Sequence, residues 1–302
     1  MAVTEVPCLK EEFLMDMNET PDDFDVRSVV FVAHRGNVPG YPENTMAAFT
    51  EAAKSGIALI ELDLRGTRDG QIVVIHDATL DRTTNGKGRV ADFTLEELKR
   101  LDAGQGEKIP AFEEVLQLLS GTAVKLLLDI KEGPGLDKKK VVGMIENRNA
   151  LLNVIVGPRS IADLQTFKAL NPNLRTLGFI PGIDDIDPFV VAGIDIIRLW
   201  SKWVDANPQL IVKCHELNRP VWVMTQDFTR TEFEKLIKYG VDGIISDPSD
   251  AHSLFGDGPF GRICRGDLHL CGAGAEVELK TRCQRLQKNT SDFRLMPFAY
   301  PK

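Results

Sequence analysis

Cysteine is scarce in this chain: 302 residues carry five, Cys8, Cys214, Cys264, Cys271 and Cys283. An odd count without short paired spacings argues against a disulfide framework and a zinc ribbon, and reads as free thiols in a reducing compartment. Basic charge is in short supply too. Lys and Arg number 36 against 44 Asp and Glu, for a net charge of −8, and no segment gathers enough of them to track a phosphate backbone. Nucleic acid is therefore not expected as a partner. No apolar run approaches the roughly 18 to 20 residues of a membrane span, so no transmembrane segment is expected. Residues 1–25 carry Glu5, Glu11, Glu12, Asp16, Glu19, Asp22 and Asp23 in place of the basic flank and apolar core of a secretory signal. The expectation is a cytoplasmic protein. A composition of 43% hydrophobic and 26% charged residues excludes disordered and fibrous classes.

What is present is a rhythm. Short β-rich runs lie at Val29–Ala33, Leu59–Leu64, Lys125–Ile130, Asn153–Val156, Arg175–Ile180, Asp195–Trp200, Val221–Thr225 and Gly243–Ser246. Amphipathic stretches fall between them at Glu43–Ser55, Phe112–Leu119, Lys138–Asn149, Ile161–Leu170, Pro188–Ala192, Pro208–Leu217 and Thr231–Tyr239. Eight strands alternating with helices, several of them apolar on both faces, predict an α/β fold of the (β/α)8 TIM-barrel type, with an open doubly wound sheet as the competitor. Between strands two and three the rhythm breaks. Residues 66–110 hold a hairpin pattern (TRDGQIVVIHD), a polar loop (DRTTNGKG) and a helix opened by a Thr94–Glu97 capping box. Such an insertion hangs over the end of a barrel where active sites are built. The expected organisation is an N-terminal extension over 1–27, a barrel over 28–255 and an unassigned C-terminal tail over 256–302.

Polar residues collect where strands end. His34 and Arg35 follow strand one, Glu61 and Asp63 close strand two, His76 and Asp77 end the hairpin, and Asp129 and Lys131 end strand three. Residues i and i+2 of a strand share a face, so Glu61 lies beside Asp63 and Asp129 beside Lys131. Three converging carboxylates call for a divalent cation, and an all-oxygen set selects Mg²⁺ or Ca²⁺, with Mn²⁺ as a further candidate. The competing reading is a structural network of these carboxylates with Arg65, Arg68 or Lys131. His34 and His76 have the chemistry of a general acid and base, or else are hydrogen-bonding supports of the strand ends. Arg35 and Lys131 suit a phosphoryl substrate, or serve to neutralise the carboxylates.

The stretches AHRG (33–36), PENTMAAF (42–49), ELDLRGTRDGQIVVIHD (61–77), LDRTTNGKG (80–88), IPAFEEVL (109–116), LLLDIK (126–131) and GVDGIISDPSD (240–250) resemble the glycerophosphodiester phosphodiesterases, lysophospholipase D-type members included. The resemblance implies a barrel in which His34 and His76 are the catalytic pair, Glu61 and Asp63 bind one divalent cation, and Arg35 and Lys131 hold the phosphate. Asp129 falls where the family has glutamate in an E-x-K motif, which shortens the third metal ligand by a methylene. Glu43 and Asn44 line or brace the site, Asn44 as a support for the His34 loop. Where the family reads W-T-V-N, this chain has Met224, Thr225, Gln226 and Asp227, with Trp222 two places earlier. The implied partner is a small-molecule phosphodiester, cleaved to glycerol 3-phosphate and an alcohol in lipid or glycerol metabolism. Two alternatives stand beside it: a lysophospholipase D using Phe179, Ile180, Trp200 and Trp203 as an apolar groove, and a non-catalytic phosphodiester-binding barrel.

Overall fold

The β-rich runs become strands buried on both faces. The computed structural model describes residues 29–36, 38–55, 57–226 and 229–247. Its strands are β1 (Val30–Ala33), β2 (Leu59–Gly66), β3 (Ile72–Val74), β4 (Lys125–Ile130), β5 (Val154–Gly157), β6 (Arg175–Gly178), β7 (Ile196–Trp200), β8 (Val221–Met224) and β9 (Gly243–Ser246). Eight of them run parallel in the order β1-β9-β8-β7-β6-β5-β4-β2, and β1 also pairs with β2 through Val32↔Leu59 and Ala33↔Ile60. That last pairing closes the ring, which makes the fold a (β/α)8 barrel and excludes an open sheet.

Alternation along each strand sorts side chains into two layers. Val32, Leu59, Leu127, Ile155, Leu177, Ile196, Trp222 and Ile245 fill the barrel as one cluster. Their neighbours Ile60, Leu62, Leu64, Leu126, Leu128 and Val156, and on the other half Ile197, Leu199, Val221, Val223 and Ile244, pack against the outer helices. Those helices are α1 (Met46–Lys54), α2 (Leu95–Arg100), α3 (Phe112–Leu118), α4 (Lys138–Asn147), α5 (Ile161–Leu170), α6 (Ile186–Val191), α7 (Ser201–Ala206), α8 (Gln209–Glu216) and α9 (Arg230–Lys238). Side-chain oxygens of Thr45, Asp137, Ser160 and Thr229 cap four of them. The first begins three residues later than its pattern suggested, because Asn44 takes a φ of 56° and Thr45 is the cap.

The insertion also differs from expectation. β2 does not stop at Leu64 but continues to Gly66, pairing antiparallel with β3 through Leu64↔Val74, Arg65↔Val73 and Gly66↔Ile72. The first arm of the hairpin is thus the end of a barrel strand, so β3 is held rigidly to the barrel. The Thr94–Glu97 capping box forms as expected. Val73, Ile75, Leu80, Val90, Leu98 and Ile109 give the insertion its own small core. The extension over 1–27, the tail over 256–302, and Cys8, Cys264, Cys271 and Cys283 lie outside the described residues. Cys214 is buried in α8 as a free thiol. No helix among the described residues is long and apolar enough to cross a membrane.

Gly66 sits where the end of β2 meets the loop after β4: a Cβ there would lie 1.8 Å from the Gly135 carbonyl carbon and 2.2 Å from the Leu136 nitrogen. Backbone on both sides cannot give way cheaply, so Gly66→Ala is expected to lose roughly 2–3 kcal/mol in denaturant unfolding. Gly143→Ala, in open space on α4, is expected to be neutral or slightly stabilising.

Candidate active site

Alternation on β2 sends Glu61 and Asp63 into the barrel mouth, and the β2–β4 register sets Asp129 directly beside Asp63. All three are buried, and each offers a carboxylate oxygen within 4.8 Å of the others'. Lys131, two residues along the same face, places Nζ 2.6 Å from Asp129 Oδ2 and 2.8 Å from Asp63 Oδ1. Arg159 forks onto Asp129, with Nε 2.9 Å from Oδ1 and Nη2 2.6 Å from Oδ2. Part of the ion-pair network is therefore real, although Arg65 and Arg68 are not in it. Arg65 donates to the carbonyls of His76 and Glu132, and Arg68 pairs with Glu97.

Glu61 is the carboxylate this network leaves out. Its Oε2 accepts the backbone N–H of Arg35 at 2.9 Å, and no side-chain cation of the described residues pairs with it. Burial, reinforced by the charges of Asp63 and Asp129, pushes its carboxyl up to about 8. Asp63 Oδ1, also buried, has Lys131 nearby but no aligned hydrogen bond. An uncompensated carboxyl and an open lone pair, both on hard oxygen donors, fit a divalent cation of the Mg²⁺ or Ca²⁺ kind.

Around the triad the backbone is specialised. Arg35 adopts a φ of 55° and Gly36 a φ of 62°, and a Cβ on Gly36 would come within 2.4 Å of the Phe49 ring. This left-handed turn aims the Arg35 N–H at Glu61, while the Arg35 carbonyl accepts from the Asn44 N–H at 2.9 Å. Asn44 Nδ2 donates to Asp63 Oδ2 at 2.7 Å, so Asn44 braces both the His34–Arg35 turn and the triad. The Arg35 guanidinium bonds Glu43 at 2.9 Å and lies 3.5 Å from Asp63. Both expected phosphate-holding cations, Arg35 and Lys131, are thus engaged with carboxylates.

The two histidines are held in parallel ways with opposite consequences. His34 Nδ1 meets Asp247 at 2.9 Å. Burial works against its charge, but the Asp247 hydrogen bond and the field of Glu61 outweigh it, and the pKa is raised. His76 Nδ1 meets Asp77 at 2.6 Å. Here burial, with Lys131 and Arg35 adding to it, prevails over Asp63 and Asp77, and the pKa is lowered. Asp77 is itself clamped by Arg82, whose Nε lies 2.7 Å from Oδ2. The same guanidinium grips both oxygens of Glu43 at 2.8 Å.

Every expected site residue thus borders the mouth. Those not singled out from sequence are Arg82 and Asp247 as partners, and Arg159 and Arg198 as cations; the sequence places Asp77 at the hairpin end without a role. Arg159 and Arg198 had a signal: each lies at i+2 on an inward-facing strand register, after Gly157 and Ile196 respectively. Of the four aromatic and apolar groove candidates, Phe179 and Trp200 belong to the inner cluster, whereas Ile180 and Trp203 pack in the outer layer. Trp222 lies deeper in the barrel against Gly243.

A closed (β/α)8 barrel with acidic, basic and imidazole groups gathered at the C-terminal ends of its strands has the form of a barrel enzyme. Residues 34–251 match the model of the glycerophosphoryl diester phosphodiesterase family. A glycerophosphodiester phosphodiesterase of Caldanaerobacter subterraneus is 37% identical over 228 residues, covering 72% of this chain and 93% of that protein. One from Bacillus altitudinis is 42% identical over 242 residues, covering 72% and 94%. The crystal structure of an Oleispira antarctica phosphodiesterase in complex with the product sn-glycerol-3-phosphate is similar in fold, with a TM-score of 0.64 at 26% identity, over 72% of this chain and 92% of that one. The chain belongs to the glycerophosphoryl diester phosphodiesterase family.

The raised Glu61 pKa has a consequence for stability. The folded protein holds this proton up to about pH 8 whereas an unfolded glutamate releases it near 4.5, so metal-free protein is destabilised as pH rises through that window. Glu61→Gln is expected to melt higher than wild type at pH 8 and to lose that advantage at pH 4. Adding Mg²⁺ or Ca²⁺ at pH 8 is expected to raise the wild-type melting temperature and leave the variant's nearly unchanged.

Proposed function

We propose that the chain hydrolyses glycerophosphodiesters to glycerol 3-phosphate and an alcohol, using one divalent cation held by Glu61, Asp63 and Asp129, with His34 and His76 as acid and base. The observation that carries this is the cluster of three buried carboxylates flanked by two histidines in opposite electrostatic settings. Family membership and the product named for the Oleispira antarctica neighbour support the substrate class. A hard divalent cation bound by the triad supplies Lewis-acid withdrawal of charge from the phosphoryl oxygens.

The roles of the chain's own groups follow from their settings. Two titratable groups pushed apart in pKa mark an acid and a base. His34, with Asp247 behind its ring and a raised pKa, carries the proton and delivers it to the oxygen of the leaving alcohol. His76, lowered and backed by an aspartate whose charge Arg82 already neutralises, is free to take a proton from the attacking hydroxyl. A new P–O bond forms as the bond to the leaving alcohol breaks. The nucleophile is water, or a hydroxyl of the substrate's own glycerol, in which case a cyclic phosphate precedes glycerol 3-phosphate. Arg35 and Lys131, on either side of Asp63, face the same phosphate. The single-chain lipid reading loses its groove, since Ile180 and Trp203 face away from the mouth and both Phe179 and Trp200 carry guanidinium groups.

The test is release of glycerol 3-phosphate from glycerophosphoglycerol with Mg²⁺, with Ca²⁺ and with EDTA. Chelation is expected to abolish turnover, and His34→Ala and His76→Ala are each expected to lower kcat by roughly 10²- to 10⁴-fold. A 4-nitrophenyl diester, whose leaving group needs no proton, is expected to recover most of the activity of the His34 variant and little of that of the His76 variant. Turnover that survives both EDTA and the two substitutions would overturn the reading.

Arg82 stands outside the chemistry and positions it. Arg82→Gln frees Asp77 and Glu43 together, so kcat is expected to fall roughly 10- to 100-fold. The acid limb of the pH profile is expected to move upward, because Asp77, no longer neutralised, stabilises the charged form of His76.

A further inference from the structure

The mouth of the barrel has two walls of opposite character. β2 and β4 supply the carboxylates, while the wall built from β5 to β7 carries Arg159, Phe179, Arg198 and Trp200, with Lys202 beyond. Gly157 makes this wall: a Cβ there would lie 2.4 Å from the Phe179 ring, so only glycine lets that ring fold across the end of β5.

Arg198 is its centre. It is 4% exposed, its guanidinium carbon lies 3.7 Å over the Trp200 ring and 5.3 Å from that of Phe179, and Nη2 reaches the Met224 sulfur at 3.3 Å. Its Nε is buried with no hydrogen-bond partner among the described residues. Among the described residues the buried cations are Lys131 and Arg198. Lys131 is paired twice, whereas Arg198 has no carboxylate of the described residues within ion-pairing distance and feels Asp129 and Glu61 only through their field. A guanidinium taken out of water without a counterion is costly, and an incoming anion removes that cost. On the proposed reading Arg35, Lys131 and the cation of the triad would meet the single negative charge of the scissile phosphate. The unmet demand of Arg198 is for a second anion.

We propose that Arg198, with Arg159 and the Phe179–Trp200 pair, forms a subsite for an anionic group on the leaving alcohol, so that the chain favours glycerophosphodiesters whose headgroup bears a further phosphate or carboxylate. This rests on the phosphodiesterase reading and sharpens it to a substrate class. A choline headgroup meets the reverse of what it needs. Quaternary ammonium groups bind open aromatic faces, but Trp200 already has Arg198 on its face, and Phe179 has a guanidinium 5.3 Å away from both Arg159 and Arg198. Arg198 is therefore a specificity-determining residue, and Met224 beneath it holds the fork in place.

The experiment compares kcat/KM for bis(glycerophospho)glycerol, glycerophosphoglycerol and glycerophosphocholine, whose leaving alcohols are anionic, neutral and cationic. Wild type is expected to prefer them in that order. Arg198→Met keeps the volume and the apolar contacts, and equal melting temperatures would establish that it folds. In this variant the anionic diester is expected to lose roughly 30-fold or more, chiefly through KM, while glycerophosphocholine changes by no more than a few-fold. An equal loss on all three would overturn the proposal by placing Arg198 on the scissile phosphate, and so would a wild-type preference for choline. Should wild type turn over none of the diesters with any cation, the phosphodiesterase reading fails by itself, and a binding measurement still decides the subsite. Titration of metal-free protein with glycerol 2-phosphate, followed by tryptophan fluorescence because Arg198 stacks on Trp200, is expected to show saturation in wild type and none in Arg198→Met. No saturation in wild type, or equal saturation in both, overturns the subsite.

Discussion

Asp63 is the group on which the rest of the mouth depends. It is fully buried, and the neighbours it touches come from four parts of the chain: Arg35 from the turn after β1, Asn44 before α1, Lys131 after β4, and Asp129 across the strand register. A carboxylate so far from water must be surrounded by donors, and each donor supplied here does a second thing. Asn44 fixes the left-handed turn that presents His34. Arg35 delivers its N–H to Glu61. Lys131 ties Asp63 to Asp129. Surrounding one buried charge with these groups thereby assembles the site.

The insertion is joined to that centre by charge instead of by the sheet alone. β3 carries the chain up to His76, and Arg65 on β2 holds the His76 carbonyl through two nitrogens at 2.9 and 2.7 Å. Arg82 in the polar loop then bridges Asp77 and Glu43, and Glu43 bridges on to Arg35. The imidazole of His76 is therefore referenced to the same arginine that serves the triad. An insertion with its own apolar core can hold a loop over the mouth, but only such a relay sets a side chain to hydrogen-bond precision.

How far the sequence could be read follows from which of these relations are local. The eight parallel strands and the partnerships Glu61 with Asp63 and Asp129 with Lys131 are set by a period of two, visible in any short window. The Thr94–Glu97 capping box is equally local. Closure through β1 and β2 is not, since it depends on tilt and register accumulated over the whole ring. The extension of β2 to Gly66 was hidden because TRDG reads as a turn between two arms, while the first arm was the barrel strand itself. Arg159 and Arg198 answer to the same alternation rule that picks out Asp129, yet each stands in a run that also supports a helix start or a solvent-facing charge. Only the closed ring shows that both face inward. Arg82, in a loop without periodicity, carried no directional signal.

The opposition between the two walls sets an order of events. In the metal-free mouth Glu61 is held toward its protonated form and Asp63 and Asp129 share Lys131, Arg159 and Arg35, whereas Arg198 on the far wall pairs with no carboxylate of the described residues. A phosphodiester approaching the triad then meets oxygens of its own sign. Glu61, Asp63 and Asp129 would hold a divalent cation as carboxylates, and its charge would compete with Arg35 and Lys131 for Asp63. Both side chains would then be available to a phosphate. On the proposed reading, cation before substrate is the order this charge arrangement would favour, since the carboxylates that repel a diester by themselves would hold the cation that attracts it.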